Sequence, residues 1–258
     1  MLTKRLIACF DIVKGRVTKA VNFQDNIDVA PASALAVKMY EMGIDELVFY
    51  DITASNEKRQ IDIETVKSVA KCVFIPFTVG GGLRNLDDMY DALKAGAEKV
   101  SVDSMAVRNP SIITEGAKAF GSQCVVLSTQ AKKTGKTPSG YEVFIDGARV
   151  ATGMDAIEWI KRGADLGAGE ICVNSIDRDG TCSGYDLDLM LMAERAVNVP
   201  LIASGGAGEP VHLLELFKKT QAQAAIISSM LYSPRLARNY TPGELKTYLD
   251  ENKVPVRE

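Results

Sequence analysis

The chain has 258 residues, 47% hydrophobic and 24% charged, and its 30 Lys and Arg against 33 Asp and Glu give a net charge of −3. That balance excludes the basic footprint of a general nucleic-acid binder, and no apolar run nears the roughly 18 residues of a membrane span. The five cysteines, Cys9, Cys72, Cys124, Cys172 and Cys182, are odd in number and hold no C-x-x-C pair. They predict reduced thiols in a cytoplasmic protein, and neither metal nor cofactor is expected.

Along the chain, apolar runs of strand length alternate with segments of helical period. Leu6–Phe10 precedes a helix over Pro31–Met42, Glu46–Tyr50 precedes Ile63–Ala70, and Phe74–Val79 precedes Leu86–Ala95. Lys99–Val102 is followed by Pro110–Phe120, Cys124–Thr129 by Asp155–Leu166, and Glu170–Asn174 by Asp186–Ala196. Leu201–Ser204 with Val211–Lys218 and Ala224–Ser228 with Gly243–Asn252 complete the series. Asn85 and Thr241 suit helix N-caps, and Gly43, Gly96, Gly121 and Gly167 suit helix ends. Eight βα units in this length predict a single (β/α)8 TIM barrel over residues 1–258.

Two connections are long. Ile12–Val29 reads as a loop whose Lys14, Arg16 and Lys19 suit anion contacts. Ala131–Gly153 holds a small hairpin turning at Asp146-Gly147. The single histidine, His212, lies in an amphipathic segment and reads as structural.

An internal repeat sharpens the barrel. Pro76–Gly82 lines up with Pro200–Gly206, and Asp45–Phe49 with Gly169–Val173, each 124 residues on, while Val100–Ser104 meets Ala225–Ser229 at 125. The duplicated pieces include Gly80-Gly81-Gly82 and Gly205-Gly206-Ala207-Gly208. Glycine loops at strand ends let backbone N–H groups approach an anion. Loops after the last two strands of such barrels commonly hold phosphate, so the repeat predicts a second phosphate site across the mouth. The expected ligand is a small molecule with a phosphate at each end. Asp11, Asp51 and the run Ile176–Thr181, with Asp177 and Asp179, put carboxylates at strand ends, where they suit proton transfer or loop capping. Symmetry asks for a partner of Asp11 on the fifth strand, and that place holds Gln130.

These residues resemble the cyclase subunits of imidazole glycerol phosphate synthase, a family of histidine biosynthesis, over essentially the whole chain. The resemblance is carried by Lys4–Asp11, Asp45–Ser55 (DELVFYDITAS), Pro76–Gly82 (PFTVGGG), Phe120–Gln123, Gly167–Glu170, Ser175–Thr181 (SIDRDGT) with Gly184–Asp186, and Ile202–Gly208 (IASGGAG). It implies a lyase that forms a heterodimer with a glutaminase subunit and takes the ammonia released there. The ammonia passes through the barrel to a bisphosphorylated aminoimidazole carboxamide ribulosyl substrate, giving imidazole glycerol phosphate and aminoimidazole carboxamide ribotide. It implies phosphate contacts at Gly82 and Ser104 and, opposite, at Gly180, Gly206, Ser228 and Ser229. Asp179 and Lys19 join these as candidate substrate contacts. It also implies an ammonia gate of Arg5, Glu46, Lys99 and Glu170.

The chain departs from the family at three places. The second catalytic aspartate is Gln130, within Ser128-Thr129-Gln130-Ala131; the Asn at the end of the fourth strand is Asp103; and a Phe-His pair after the eighth is Leu231-Tyr232. With Asp11 as base, the expected catalytic set is therefore Asp11, Asp103 and Gln130, the carboxylate and amide of neighbouring strands having changed places. The alternative use of Asp103 is as a cap on the following turn. Two other readings stay open: a diverged relative supplying ammonia to another amination, and an impaired barrel that binds and activates a glutaminase.

Overall fold

The computed structural model describes residues 3–21, 24–54, 61–234 and 236–257. Ser55, the last residue of the DELVFYDITAS match, and residues 22–23 of the first long connection lie outside them. Twelve strands are described: β1 Arg5–Val13, β2 Arg16–Val21, β3 Gln24–Pro31, β4 Glu46–Asp51, β5 Phe77–Gly80, β6 Lys99–Val102, β7 Val125–Lys133, β8 Tyr141–Ile145, β9 Val150–Asp155, β10 Glu170–Ser175, β11 Leu201–Ser204 and β12 Ala224–Ile227. Eight of them pair in parallel in the order β1-β4-β5-β6-β7-β10-β11-β12, and β12 returns to β1 to close the ring. Helices alternate with these strands, so the predicted (β/α)8 barrel is present.

Side chains of a strand alternate between its faces, and here the alternation sorts core from interior. On β1, Leu6, Ala8, Phe10 and Ile12 join the large apolar core between strands and helices. Ile7 packs instead with Val48, Val126, Cys172, Ile202, Ala224 and Ile226 in a second cluster, flanked by Cys9 and Tyr50. The same parity puts Arg5 at one end of the inner row of β1 and Asp11 at the other.

The helices begin and end for local reasons. Asn85 accepts from the Asp88 amide at 2.9 Å, and Thr241 forms a reciprocal capping box with Glu244. Asp155 accepts from Ile157 and Glu158. Gly43 and Gly167 leave their helices at φ of 82° and 109°, as glycine alone does cheaply.

Three sequence expectations need correction. The connection after the first strand is an antiparallel hairpin of β2 on β1 and β3 on β2 rather than a loop. Its polar residues hid the strands, although Val17 is buried in the core. The third strand begins at Phe77, not Phe74. Phe74 is 80% exposed, with its ring centroid 6.2 Å from that of Tyr40. The fifth strand runs on to Lys133, because its outer half pairs with β8.

Candidate active site at the mouth of the barrel

The two glycine loops are the same object built twice. A Cβ on Gly81 would come within 2.4 Å of the Asp51 carbonyl oxygen, and one on Gly205 within 2.7 Å of that of Ser175. Both glycines have positive φ, and each partner is likewise 124 residues from its counterpart. The following glycine is as tightly held: Gly206, at φ 106°, accepts from the Gly184 N–H at 2.8 Å. This bond ties the SIDRDGT–GYD segment to the second glycine loop. His212 supports the same loop, its Nδ1 accepting from the Gly208 and Glu209 amides at 3.2 Å. That is the structural role its sequence context suggested.

Around the second loop, Lys19 donates to the Ser228 hydroxyl at 2.6 Å and lies 4.0 Å from Asp11. Ser229 follows at the start of a short helix, Ser229–Tyr232. Asp179 is held up from the usual carboxylate range by burial, against the pull of Lys19 and of bonds from Asn174 and the Gly180 N–H. Burial likewise raises Asp11, with Lys19 opposing and Asp179 reinforcing the shift. A lysine thus sits among two carboxylates and a hydroxyl at this end. Tyr232 closes the arrangement, donating to the Cys9 carbonyl and pairing with Ser228 at 3.1 Å.

At the first loop, Gly82 follows β5, and Ser104 opens a five-residue helix after β6. The hairpin of β8 and β9 reaches this end. The Asp146 amide at its turn donates to Ser104 Oγ at 2.9 Å, and Arg108 pairs with the Asp146 carboxylate. The hairpin is moored on its other side by the Lys133 amide to Asp177 at 2.7 Å and Tyr141 to Asp186 at 3.0 Å.

Strand register confirms which residues correspond. Asp11 lies opposite Tyr50 of β4 and opens the pairing with β2; Gln130 lies opposite Asn174 of β10 and opens the pairing with β8. Gln130 therefore occupies the symmetry position of Asp11. Its amide donates to Asp103, which directly follows the neighbouring strand β6.

On the opposite face, the four predicted gate residues meet in one closed ring. Arg5 donates to Glu46 at 2.6 Å and to Glu170 at 2.7 Å; Lys99 reaches Glu46 at 3.3 Å and Glu170 at 2.7 Å. Between ring and mouth lies the apolar inner cluster. Burial pushes the Cys172 thiol there up to about 12, so it stays neutral.

Sequence reasoning missed Tyr232, Asp146 and Arg108 as parts of the site. Asp146 and Arg108 offered only their positions, at a hairpin turn and just after a strand end, while Tyr232 was marked only as a departure from the resembled family. Asp51 proves to be a loop-holding residue, accepting from the Thr53 and Ala54 amides.

Comparison with known proteins bears on this arrangement. The family profile described as "Histidine biosynthesis protein" matches residues 5–237. The imidazole glycerol phosphate synthase subunit HisF of Desulfosudis oleivorans is 52% identical over 260 residues, spanning 100% of this chain and 99% of that protein. The same-named subunit of Desulfatibacillum aliphaticivorans is 51% identical over 261 residues, with the same coverage. That of Nitratidesulfovibrio vulgaris is 53% identical over 235 residues, 90% of this chain and 91% of its own.

Proposed function

The chain belongs to the histidine biosynthesis protein family, and we propose from that premise that it is the cyclase subunit of an imidazole glycerol phosphate synthase. It uses ammonia to convert a bisphosphorylated aminoimidazole carboxamide ribulosyl substrate into imidazole glycerol phosphate and aminoimidazole carboxamide ribotide. The observation that carries this reading is the pair of equivalent glycine loops, with ionisable side chains between them. A substrate with phosphate at both ends spans the mouth. One phosphate meets Gly82 and Ser104; the other meets Gly180, Gly206, Ser228 and Ser229.

Lys19 supplies positive charge at the second end, and its neighbours Asp11 and Asp179 face the same space. Asp11 acts as base at the reacting nitrogen, which loses protons as it bonds to the carbonyl carbon and the ring closes. Burial suits it to this role, because a carboxylate raised from its usual range accepts a proton more readily near neutral pH. Asp179 orients the substrate.

The partner is a glutaminase subunit that docks over the ring of Arg5, Glu46, Lys99 and Glu170. Ammonia is small and neutral, so the apolar interior beyond that ring lets it pass while hydrated ions are refused. Free thiols at all five cysteines fit a cytoplasmic setting.

Turnover of the aminoimidazole substrate with an ammonium salt, without the partner, tests the reading directly. Formation of both products supports it. Tight binding of the substrate without products assigns the chain instead to glutaminase activation or to another amination.

A further inference from the structure

Asp103 follows β6 and stands at the N-cap of the helix Ser104–Arg108, where an aspartate ordinarily accepts from the backbone amides of the first turn. It does not do so. Its side chain makes no capping bond and meets the amide of Gln130, on the neighbouring strand, which donates to Oδ2. The carboxyl has forgone local hydrogen bonds to lie beside the residue that occupies the symmetry position of Asp11. Oδ1 has no hydrogen bond among the described residues. The other oxygen of the pair, Gln130 Oε1, is buried without a partner.

We propose that Asp103 is the second proton-transfer group of the mouth, and that Gln130 is a positioning residue that holds its carboxyl there. Gln130 occupies Oδ2, which leaves Oδ1 to carry the proton toward the substrate. The unpartnered Gln130 Oε1 accepts an N–H from the incoming nitrogen. When ammonia adds to the ketose carbonyl, a C–N bond forms and the carbonyl π pair moves to oxygen. That oxygen takes the Asp103 proton while Asp11 takes one from nitrogen. The second proton needed for water to leave moves the same way, and solvent returns each proton from Asp11 to Asp103. No oxidant or further reactant enters.

The charged surroundings suit an acid. The Asp103 carboxyl stands at about 7: burial raises it and the Gln130 bond opposes the rise, while Asp146 on the hairpin turn adds to it and Arg108 on its own helix lowers it. Cys172 on β10, an ionisable side chain that also interacts with Asp103, is raised to about 12 by burial and stays neutral. A group poised near neutrality transfers protons most effectively at working pH.

This inference rests on the cyclase reading, and its test separates the two. Ammonium-driven turnover is measured across about pH 5 to 9 for the wild type, Asp103→Asn, Gln130→Asp and the double variant. Asp103→Asn should lose about 100-fold or more in kcat with KM within about threefold, and should lack the wild-type limb near neutral pH. The double variant returns a carboxyl to the neighbouring strand and should regain about tenfold or more over Asp103→Asn. Wild-type kcat in Asp103→Asn, or an unchanged pH limb, overturns the proposal. Absence of turnover in the wild type overturns the cyclase reading instead. Asp103 is then judged by carbon-13 NMR titration of its carboxyl in the wild type and in Gln130→Leu. A midpoint near neutrality that moves on loss of Gln130 supports the pairing, and an ordinary midpoint near about 4 refutes it.

Discussion

Replacing Lys99 by Met tests the ring at the closed end of the barrel. The ring holds two cations and two carboxylates in four contacts of 2.6 to 3.3 Å, with side chains only 8% to 21% exposed. Removing one partner of a largely buried ion pair costs about 3–5 kcal/mol when the other charge is stranded. Here Arg5 still reaches both carboxylates, so the expected loss is smaller, about 2 kcal/mol. Adding Glu170→Gln restores neutrality and should return about 1 kcal/mol, a coupling that independent sites do not show. Urea unfolding of the four proteins of this cycle gives both numbers. With the glutaminase present, glutamine-driven turnover of Lys99→Met should fall about tenfold, a loss near 1.4 kcal/mol, while ammonium-driven turnover falls far less. Additive stability effects together with equal losses in both turnover assays would refute the ring as a gate.

Three further outcomes are expected. The raised Asp103 carboxyl means that between about pH 4 and 7 the unfolded chain has released a proton which the folded chain still holds, so folding weakens as pH rises through that window. Asp103→Asn should therefore stabilise the protein by about 2–4 kcal/mol at pH 8, and not at all at pH 3, in urea titrations at the two pH values. Gly206→Ala forces a Cβ to within 2.1 Å of the Gly184 carbonyl at a φ of 106°, whereas Gly180→Ala at φ 73° meets nothing within 4 Å. Calorimetry should show a loss of about 3 kcal/mol or more for the first and about 1 kcal/mol for the second. Asp45 accepts from the Leu6 amide at 2.8 Å and from Lys246 at 2.7 Å. Asp45→Ala should cost about 3 kcal/mol in denaturant unfolding, because both partners are left buried or half-buried.

The barrel was legible because hydrophobic period, caps and glycine stops agreed at nearly every element. Leu201–Ser204 and Ile63–Ala70 were bounded to the residue. The hairpin of β2 and β3 was not legible, since polar residues such as Thr18 and Lys19 are buried there and interrupt the apolar pattern that Val17, Val29 and Ala30 would otherwise mark against the core. The glycine loops could be read from their duplication, and the gate only from the family resemblance. Four alternating charges at scattered positions have no local pattern until strand closure assembles them. The contact between Asp103 and Gln130 was legible as adjacency of strands, but its form was not. A residue before a helix ordinarily announces a cap, and only the side-chain direction shows that this one declines that role.

The duplicated register has a consequence for how such a mouth diversifies. Two halves on the same plan, each with a glycine loop and a hairpin-bearing strand, must recognise a ligand whose two ends differ. Directionality therefore resides in a handful of side chains on a shared frame: Asp11 corresponds to Gln130 in strand register, and Asp103 corresponds to Ser228 in the offset of the repeat. Both carboxylates of this set come from the first half, Asp11 from β1 and Asp103 from the end of β6, and their counterparts in the second half, Gln130 and Ser228, carry no charge. An acid and an amide on adjoining strands can trade seats by point substitution without moving the backbone. Polarity in this barrel is thus written in side chains and is cheap to rewrite, while the frame that fixes the span between the two ends stays constant.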